Sequence, residues 1–379
     1  MKNKYLALFA ISFGVVVALV VFLAVDFVYS NCCTFVMTER DRPLTSKDNG
    51  WYELKYNFSG KDLWNDYIFD VRTDEIGFRA DDKNQKKGNA DYIFLGDSFT
   101  YGVNGPWDET YVGMFDKSIS SRILNAGVGS YSITPYIHQY KKALASGLLN
   151  PGHVVVLSVD VSDVYDEANE WRPGLQHPVK RYFIKDEKLL EPPGASQNIS
   201  EFRISLQKNF SLTRKIYQFL RYRDQRYCEP EIGVGNVYKT AFTWMPWDSI
   251  ENEGKWVNGA FCPGFYPVSV KEGIERLEKG IFEISAMARE HQAKIYFVVY
   301  PHPSQIVHDD KFSWPELIGN ICKKIDCDGV IDTTHEFKEL AKKDPAWDST
   351  LYVHGDIHFT ARGNSVIAKQ LIENLPRPK

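Results

Sequence analysis

Residues 92–102 of this 379-residue chain read Tyr92-Ile93-Phe94-Leu95-Gly96-Asp97-Ser98-Phe99-Thr100-Tyr101-Gly102. The first four residues form a short apolar run, which predicts a buried strand. Gly96 ends the run and permits a tight turn that presents Ser98 beyond it. Open α/β sheets bind their ligands beyond the carboxyl ends of the strands, so Ser98 is a candidate nucleophile.

Four further apolar runs predict strands of the same kind: Ile123–Asn125, Val154–Val159, Ile295–Tyr300 and Gly329–Asp332. Continuous apolar runs are typical of parallel strands that are covered on both faces. Helical patterns lie between or after them, at Pro135–Leu148, Val270–His291 and Thr360–Leu375. This alternation predicts a three-layer α/β/α domain with a parallel sheet.

The N-terminus predicts a membrane segment, because the chain carries no charged residue from Tyr5 to Val25. About 20 helical residues cover the ~30 Å hydrocarbon core of a bilayer. Lys2 and Lys4 precede the run, which places the N-terminus in the cytoplasm and the rest of the chain across the membrane. A cleaved signal peptide is the alternative, but its apolar region is usually shorter, at about 7–15 residues, and ends in small residues. We therefore predict an uncleaved anchor over residues 1–30.

The chain between the anchor and the main domain, residues 31–88, is predicted to form a polar stem and a small β-hairpin. The hairpin strands are expected at Trp51–Tyr56 and Tyr67–Val71, with turn residues at Ser59-Gly60. The main domain is expected to span residues 89–379. Within it, the stretch from about 165 to 267 lacks the strand–helix rhythm and is too long for a plain loop. We predict that this stretch is an inserted subdomain.

Composition excludes some classes of partner and cofactor. The formal net charge of −4 gives no reason to expect nucleic acid as a partner. The six cysteines suit an oxidising compartment, and Cys322 and Cys327 are close enough in sequence to close a small loop. Buried thiols are the alternative. There is no CxxC pair, and His354 and His358 lie in a predicted loop, so we predict no metal and no other cofactor.

A serine hydroxyl is a poor nucleophile without a base that a third group orients. The stretch 354–360, which precedes the last predicted helix with Thr360 as its N-cap, offers both groups. A loop here would return His358 to the sheet edge that carries Ser98. Asp356 is near enough in sequence to orient the imidazole. The alternative, that these are ordinary loop residues, loses weight because Ser98 lies in the same domain.

Three blocks in this order resemble the SGNH (GDSL) hydrolase superfamily: Gly-Asp-Ser at 96–98, Asn-x-Gly at 125–127 and Asp-x-His at 356–358. The resemblance covers about residues 90–375 except the insertion. It implies a flavodoxin-like fold and action on esters, often of acyl groups on carbohydrates, with Ser98 as nucleophile, His358 as base and Asp356 as its partner. The usual terminal spacing is Asp-x-x-His. The shorter spacing, together with a membrane anchor, is similar to the branch that contains the alginate O-acetylation proteins of the bacterial periplasm.

The same resemblance implies an oxyanion hole built from the Ser98 N–H, a backbone N–H of Gly129 or Ser130, and a residue of a third block. That block normally reads Gly-x-Asn-Asp, but here it reads Asp160-Val161-Ser162-Asp163. Ser162 therefore stands where asparagine is expected. A hydroxyl donates one hydrogen bond, so Ser162 is retained as a candidate donor.

Several other groups have two interpretations. The acidic residues at 160–170 fit a solvated edge or partners for Arg172 and Arg181 better than a metal site. The basic stretch at 214–226 fits a solvated helix face better than a site for an anionic ligand. His302 follows a strand and is either a turn residue or part of the pocket. Four tryptophans of the insertion fit its own small core better than a sugar-stacking surface: Trp171, Trp244, Trp247 and Trp256.

Together these features predict a single-pass membrane enzyme whose catalytic domain faces the periplasm or another extracytoplasmic space. It would be an esterase or O-acyltransferase acting on acyl esters, above all acetyl esters, of an envelope polysaccharide. The alternative is a catalytically weak polysaccharide-binding or export-assembly protein that retains the fold, which Ser162 favours. Expected partners are an acylated carbohydrate and, through the N-terminal helix, the membrane; the sequence leaves the oligomeric state open.

Overall fold

The structure is a computed structural model that describes residues 2–32, 41–46, 52–64, 67–81, 86–103, 105–169, 183–185, 188–190, 209–213, 216, 270–307, 313–353 and 356–377. Its strands, in chain order, are β1 (Leu44–Ser46), β2 (Tyr52–Leu54), β3 (Ser59–Trp64), β4 (Tyr67–Thr73), β5 (Arg79–Ala80), β6 (Ala90–Leu95), β7 (Arg122–Asn125), β8 (Leu149–Ser158), β9 (Phe183–Lys185), β10 (Lys188–Leu190), β11 (Lys294–Val299) and β12 (Gly329–Asp332). Its helices are α1 (Lys2–Cys32), α2 (Ser98–Tyr101), α3 (Tyr111–Lys117), α4 (Ile133–Ser146), α5 (Val161–Asn169), α6 (Val270–Glu290), α7 (Pro303–Val307), α8 (Trp314–Ile325), α9 (Thr334–Lys343), α10 (Trp347–Thr350) and α11 (Ala361–Asn374).

The chain divides into two compact units. One comprises residues 1–42 with 193–227, and the other comprises residues 43–192 with 228–379. The second unit contains all the strands found among the described residues, and all the predicted site residues.

The first unit is built on α1. Its segment Phe9–Cys32 is long and apolar enough to cross a bilayer, a property that signal sequences share. Near its C-terminal end, the Asp26 carboxylate accepts hydrogen bonds from the backbone N–H groups of Leu212 (2.9 Å) and Thr213 (2.7 Å). The Ser30 hydroxyl lies 2.8 Å from that of Ser211. Within this unit, α1 is thus tied by side chains to a segment of the inserted stretch.

Five parallel strands form the centre of the main sheet, in the order β7-β6-β8-β11-β12. The apolar runs predict all five as strands, and the fold class is confirmed. Numbered by their order in the chain, the five parallel strands follow the flavodoxin-like order 2-1-3-4-5. The chain goes from β6 to β7 on one side and then continues with β8 on the other side of β6. Ligands of such sheets bind at the carboxyl ends of these two strands. Ser98 follows β6, and Ser162 follows β8.

The two faces of the sheet carry separate cores, because successive strand residues point to opposite sides. Ile93 and Leu95 of β6 are buried with side chains of α4, α6 and α8. Tyr92 and Phe94 of the same strand are buried with side chains of α3, α9 and α11. These are the three layers that the alternation of strands and helices predicts. The disulfide Cys322–Cys327 closes the small loop after α8, as their spacing suggests.

The segment predicted to form a separate hairpin instead extends the main sheet. β3 pairs with β4, and β4 pairs with β5. β5 in turn pairs with β7 of the parallel sheet, where Arg79 lies opposite Asn125. The predicted first strand, around Tyr52–Leu54, pairs with β1, and Ser59-Gly60 begins a strand rather than forming the turn. Hydrophobic burial explains the difference, since the inward residues of β4, Phe69 and Val71, are buried in the main core.

The predicted insertion, about residues 165–267, lies mostly outside the described residues, as do its four tryptophans and the basic residues at 214, 215 and 221–226. Its expected beginning falls within α5, which runs to Asn169. Whether the stretch forms a subdomain stays a prediction.

Candidate active site

Ser98 lies at the start of α2, directly after the turn that ends β6. Asp97 caps this helix, since its Oδ1 accepts a hydrogen bond of 2.9 Å from the Phe99 N–H. Gly96 is required by close packing, because a Cβ there would lie 1.9 Å from Thr100 Oγ1. The short turn therefore holds the Ser98 side chain at the carboxyl edge of the sheet.

Three side chains from opposite ends of the main unit form one hydrogen-bonded chain. The Ser98 Oγ lies 2.7 Å from His358 Nε2, and His358 Nδ1 lies 2.6 Å from Asp356 Oδ1. In the tautomer that carries its proton on Nδ1, His358 donates to Asp356 and accepts from Ser98. Ser98 and His358 are 6% and 4% exposed, so the hydrogen bonds are largely shielded from water. This is the arrangement of a nucleophile, a base and an orienting acid.

The loop that carries Asp356 and His358 is held at both ends. The Val353 N–H donates to the His358 carbonyl, and the Thr360 N–H donates to the Leu351 carbonyl. Thr360 is the N-cap of α11, as predicted, and its hydroxyl accepts from the Gly363 N–H at 3.3 Å. These bonds fix the point at which the last helix begins, and so fix His358 two residues before the cap.

Asp356 is ionised in this environment. Burial by itself raises the pKa of its carboxyl group, but hydrogen bonding and charge attraction from His358 outweigh burial and lower the pKa to about 2. Its Oδ1 also accepts from the backbone N–H groups of Ile357 (2.6 Å) and His358 (3.2 Å). Its Oδ2 accepts from the Trp64 Nε1–H at 2.9 Å. A carboxylate in this position that is charged at neutral pH stabilises the imidazolium form of His358.

Two aromatic rings hold the His358 imidazole in place. Phe99 lies 4.6 Å from it between ring centroids, and Trp64 packs edge-on at 4.9 Å. Neither ring is among the site residues predicted from the sequence. Phe99 directly follows the nucleophile and is a reasonable candidate on that ground, but Trp64 is 292 positions from Asp356, and no local pattern links the two.

The residues predicted to form the oxyanion hole have different surroundings. Gly129 borders the nucleophile, since a Cβ there would lie 3.9 Å from the Ser98 Cβ and 3.8 Å from the Trp64 ring. Ser130 adopts a left-handed backbone with φ 58°, which is uncommon for a residue other than glycine and is found at functional sites. The Ser162 hydroxyl donates to Asp160 Oδ1 at 2.6 Å. The oxyanion role of these groups and of the Ser98 N–H stays a prediction.

Three of the acidic residues after β8 do not belong to a solvated edge, and that expectation is wrong for Asp160, Asp163 and Glu167. Asp160, Asp163 and Glu167 are each 1% exposed. Asp163 accepts from the Tyr136 hydroxyl at 2.8 Å, and Glu167 accepts from the Thr134 N–H and the Ser132 hydroxyl at 2.6 Å each. Asp163 and Glu167 are four positions apart on α5, which turns both carboxylates toward α4. Arg172 and Arg181 lie outside the described residues.

His302 is fully buried beside the site rather than in an exposed turn. Its Nε2 lies 3.4 Å from Asp160 Oδ1, and its ring is 5.4 Å from Phe99 between centroids. Asp160 keeps a lowered pKa although burial opposes this, because His302 and Ser162 stabilise its charge. Burial and the charge of Asp160 raise the pKa of Asp97 well above its usual value. Within the described part of the chain, no group of three or more histidine, cysteine, aspartate or glutamate side chains is arranged so that it could hold a metal ion.

No protein-family model and no curated protein matches the chain. It is similar in structure to a member of the lipolytic G-D-S-L family from Veillonella parvula, with 12% identity, 76% of this chain and 98% of that chain covered, and a TM-score of 0.39. It is also similar to the acetyl xylan esterase AlAXEase, with 14% identity, 75% and 99% covered, and a TM-score of 0.40. The acetylxylan esterase Axe2 from Geobacillus stearothermophilus is 9% identical, with 76% and 95% covered and a TM-score of 0.37.

Proposed function

We propose that the protein is a membrane-anchored serine esterase or O-acyltransferase of the SGNH type, acting on acyl esters, above all acetyl esters, of an envelope polysaccharide. The observation that carries the proposal is the chain of two hydrogen bonds, at 2.7 and 2.6 Å, from Ser98 through His358 to the charged Asp356. Such a chain activates a hydroxyl for attack on an ester carbonyl.

In the first half of the reaction, the Ser98 Oγ attacks the ester carbonyl carbon while His358 Nε2 takes the hydroxyl proton. The negative charge moves to the carbonyl oxygen, beside Gly129. His358 is then an imidazolium, which the Asp356 carboxylate stabilises. When the tetrahedral intermediate collapses, the ester C–O bond breaks, and the proton on Nε2 passes to the departing alkoxide. The products are an alcohol and an acyl group on Ser98.

In the second half, water or a sugar hydroxyl attacks the acyl group. His358 Nε2 takes the proton of the attacking group and returns it to the Ser98 Oγ as the acyl–oxygen bond breaks. Water gives a free acid, and a sugar hydroxyl gives a new ester. The triad serves both outcomes equally, so the choice between hydrolysis and transfer depends on which acceptor the surface around the site admits.

Two features support the membrane and carbohydrate parts of the proposal. The apolar helix α1 is long enough to span a bilayer, and it carries Asp26 near its C-terminal end. A cleaved signal peptide would leave the backbone N–H groups of Leu212 and Thr213 without the carboxylate that caps them, so these contacts favour a retained anchor. The carbohydrate ester rests on the resemblance of the three sequence blocks to SGNH enzymes.

A second candidate function is a catalytically weak binding or export-assembly protein with the same fold. The hydrogen bond from the Ser162 hydroxyl to Asp160 favours it, because a hydroxyl has only one proton to donate. An oxyanion hole that lacks one donor typically loses about 10²–10³ in rate.

A fluorophosphonate probe and an acetyl ester test both candidates on the full chain in detergent. We expect wild type and a Ser118→Ala control to be labelled and to hydrolyse p-nitrophenyl acetate, because the Ser118 hydroxyl only bonds the Phe115 carbonyl. Ser98→Ala should not be labelled, and its kcat should be lower than that of wild type by a factor of about 10⁴–10⁶. Equal, slow hydrolysis by wild type and Ser98→Ala would overturn the enzyme proposal and favour the second candidate. An acetylated glycan and its deacetylated form, offered together, separate hydrolysis from transfer.

A further inference from the structure

We propose that Trp64 is a positioning residue of the triad, which sets the Asp356 carboxylate through its indole N–H and restrains the His358 ring by packing. The inference rests on the proposed esterase function and assigns part of the active site to the antiparallel extension β3–β5. Trp64 is the last residue of β3, in a segment that the sequence places outside the catalytic domain.

The contacts of the indole ring define its role. Its Nε1–H donates to Asp356 Oδ2 at 2.9 Å, while Asp356 Oδ1 bonds His358 Nδ1 at 2.6 Å. The two carboxylate oxygens are therefore held from opposite sides, which fixes the plane of the carboxylate and hence the direction in which it accepts from His358. Hydrogen bonds to a charged acceptor are the stronger kind in proteins.

The ring also packs against the base itself. The edge-on contact between Trp64 and the His358 imidazole, at 4.9 Å between centroids, lies in the same site as the Phe99 contact at 4.6 Å. The Trp64 ring also lies close to Gly129, because a Cβ on that glycine would be 3.8 Å from the ring. One side chain thus borders the acid, the base and the glycine beside the nucleophile.

The extension that carries Trp64 is itself fastened to the nucleophile segment. The Tyr101 hydroxyl, at the end of α2, donates to Asp62 of β3 at 2.9 Å. Tyr52 of β2, outside the extension, donates through its hydroxyl to the Gly129 carbonyl at 2.7 Å. The buried guanidinium of Arg79 donates to the carbonyl groups of Tyr101, Gly102 and Gly105. The bonds of Asp62 and Arg79 hold the extension against α2 and the residues that follow it, so Trp64 meets Asp356 in a fixed position.

Kinetics of a matched pair of tryptophan variants test the proposal. The Trp107 Nε1–H also points at a carboxylate, that of Asp116, at 3.4 Å, but no catalytic side chain is involved. We expect Trp64→Phe to lower kcat for p-nitrophenyl acetate about ten-fold, which is about 1.4 kcal/mol, with KM unchanged within about two-fold. Trp107→Phe should leave both constants at the wild-type values.

A double-mutant cycle separates positioning from simple packing. If Trp64 acts through Asp356, Trp64→Phe should cause no further loss of kcat in an Asp356→Ala background. An equal ten-fold loss in both backgrounds, or a wild-type kcat for Trp64→Phe, would overturn the proposal.

A spectroscopic readout keeps the inference independent of activity. In protein labelled with ¹⁵N at its nine tryptophan indoles, the signal absent from Trp64→Phe belongs to Trp64. We expect this signal to move strongly in Asp356→Ala, while the signal absent from Trp107→Phe stays in place. If wild type neither hydrolyses esters nor reacts with the fluorophosphonate, the proposed function fails. The shift of the Trp64 indole signal in Asp356→Ala then still tests the hydrogen bond between Trp64 and Asp356. A Trp64 signal that stays in place in Asp356→Ala would refute the proposed contact between Trp64 and Asp356.

Discussion

At the scale of single residues, Asp356 links catalysis to the pH dependence of stability. Its pKa is about 2 in the folded protein, below the ordinary value of 3.8, so folding favours the charged form. This contribution is fully present above about pH 4 and is lost as the pH falls toward the folded value near 2. The shift corresponds to about 2 kcal/mol of unfolding free energy.

We therefore expect Asp356→Asn to be less stable than wild type at pH 5 and to approach wild type as the pH falls to 2.5. The asparagine side chain of this variant cannot gain charge, so the difference between the two proteins isolates the carboxyl group. Urea unfolding followed by tryptophan fluorescence at several pH values measures it. A difference that stays constant over this range would show that the charge of Asp356 does not contribute to folding.

Ser162 gives a second prediction at this scale. Its hydroxyl proton is bonded to Asp160, at 2.6 Å, and not to a substrate oxygen. We expect Ser162→Ala to lower kcat for an acetyl ester less than about ten-fold, well below the roughly 10²–10³ typical of a lost oxyanion donor. A loss in that larger range would show that the hydroxyl turns toward the oxyanion during the reaction, as the position of Ser162 in its block predicts.

At the scale of elements, the start of α11 controls where His358 lies. Gly363, in the first turn of this helix, packs directly on the loop before it, because a Cβ there would lie 2.1 Å from the Leu351 carbonyl oxygen. The same loop is bonded to the N-cap Thr360 through its N–H and hydroxyl. A shift of the first turn of α11 therefore moves the base.

We expect Gly363→Ala to lower both the melting temperature and kcat, because backbone atoms cannot yield to the added methyl group. Gly319, in the middle of α8, is the matched control, since nothing lies within 4 Å of its added Cβ. Gly319→Ala should raise stability by about 0.5–1 kcal/mol and leave kcat unchanged. Thermal melts and ester hydrolysis of the two variants measure this contrast, and similar effects of both would contradict it.

At the scale of the whole molecule, we expect catalysis to depend on the second unit and not on the apolar helix. The described contacts of Ser98, His358 and Asp356 come from residues between Trp64 and Phe359. We expect deletion of residues 1–32 to leave hydrolysis of p-nitrophenyl acetate within about three-fold of wild type, the range of small remote effects.

Deletion of residues 1–88 provides the contrast. It removes β1–β5, and with them Trp64, Asp62 and Arg79, although the predicted catalytic domain begins at residue 89. We expect this protein to lose both solubility and activity, because the loss of Phe69, Val71 and Phe78 leaves a large apolar surface uncovered. Soluble, active protein from this shorter chain would show that the extension is dispensable.

Much of the fold can be predicted from local features of the sequence, namely apolar runs and helix caps. The five parallel strands are apolar runs long enough to stand out, and the helix at Thr360–Leu375 begins at a hydroxyl cap. The helical patterns do not predict α8 and α9, although Ser313 caps α8 through its side chain. The sequence predicts a small hairpin ahead of the main domain instead of the extension β3–β5, because two-residue periodicity shows that a strand exists but not which strand it pairs with.

The parallel α/β core and the three residues Ser98, Asp356 and His358 can be predicted from the sequence alone, because apolar periodicity, glycine turns and short blocks are local properties of the chain. The folded structure is needed to show that these three residues lie within hydrogen-bonding distance, that Asp160, Asp163 and Glu167 are buried, and that Trp64 contacts Asp356 and His358. Those outcomes depend on which strands pair and which faces are covered. Contacts between residues far apart in the chain follow from the packing of the whole core, which no short stretch encodes.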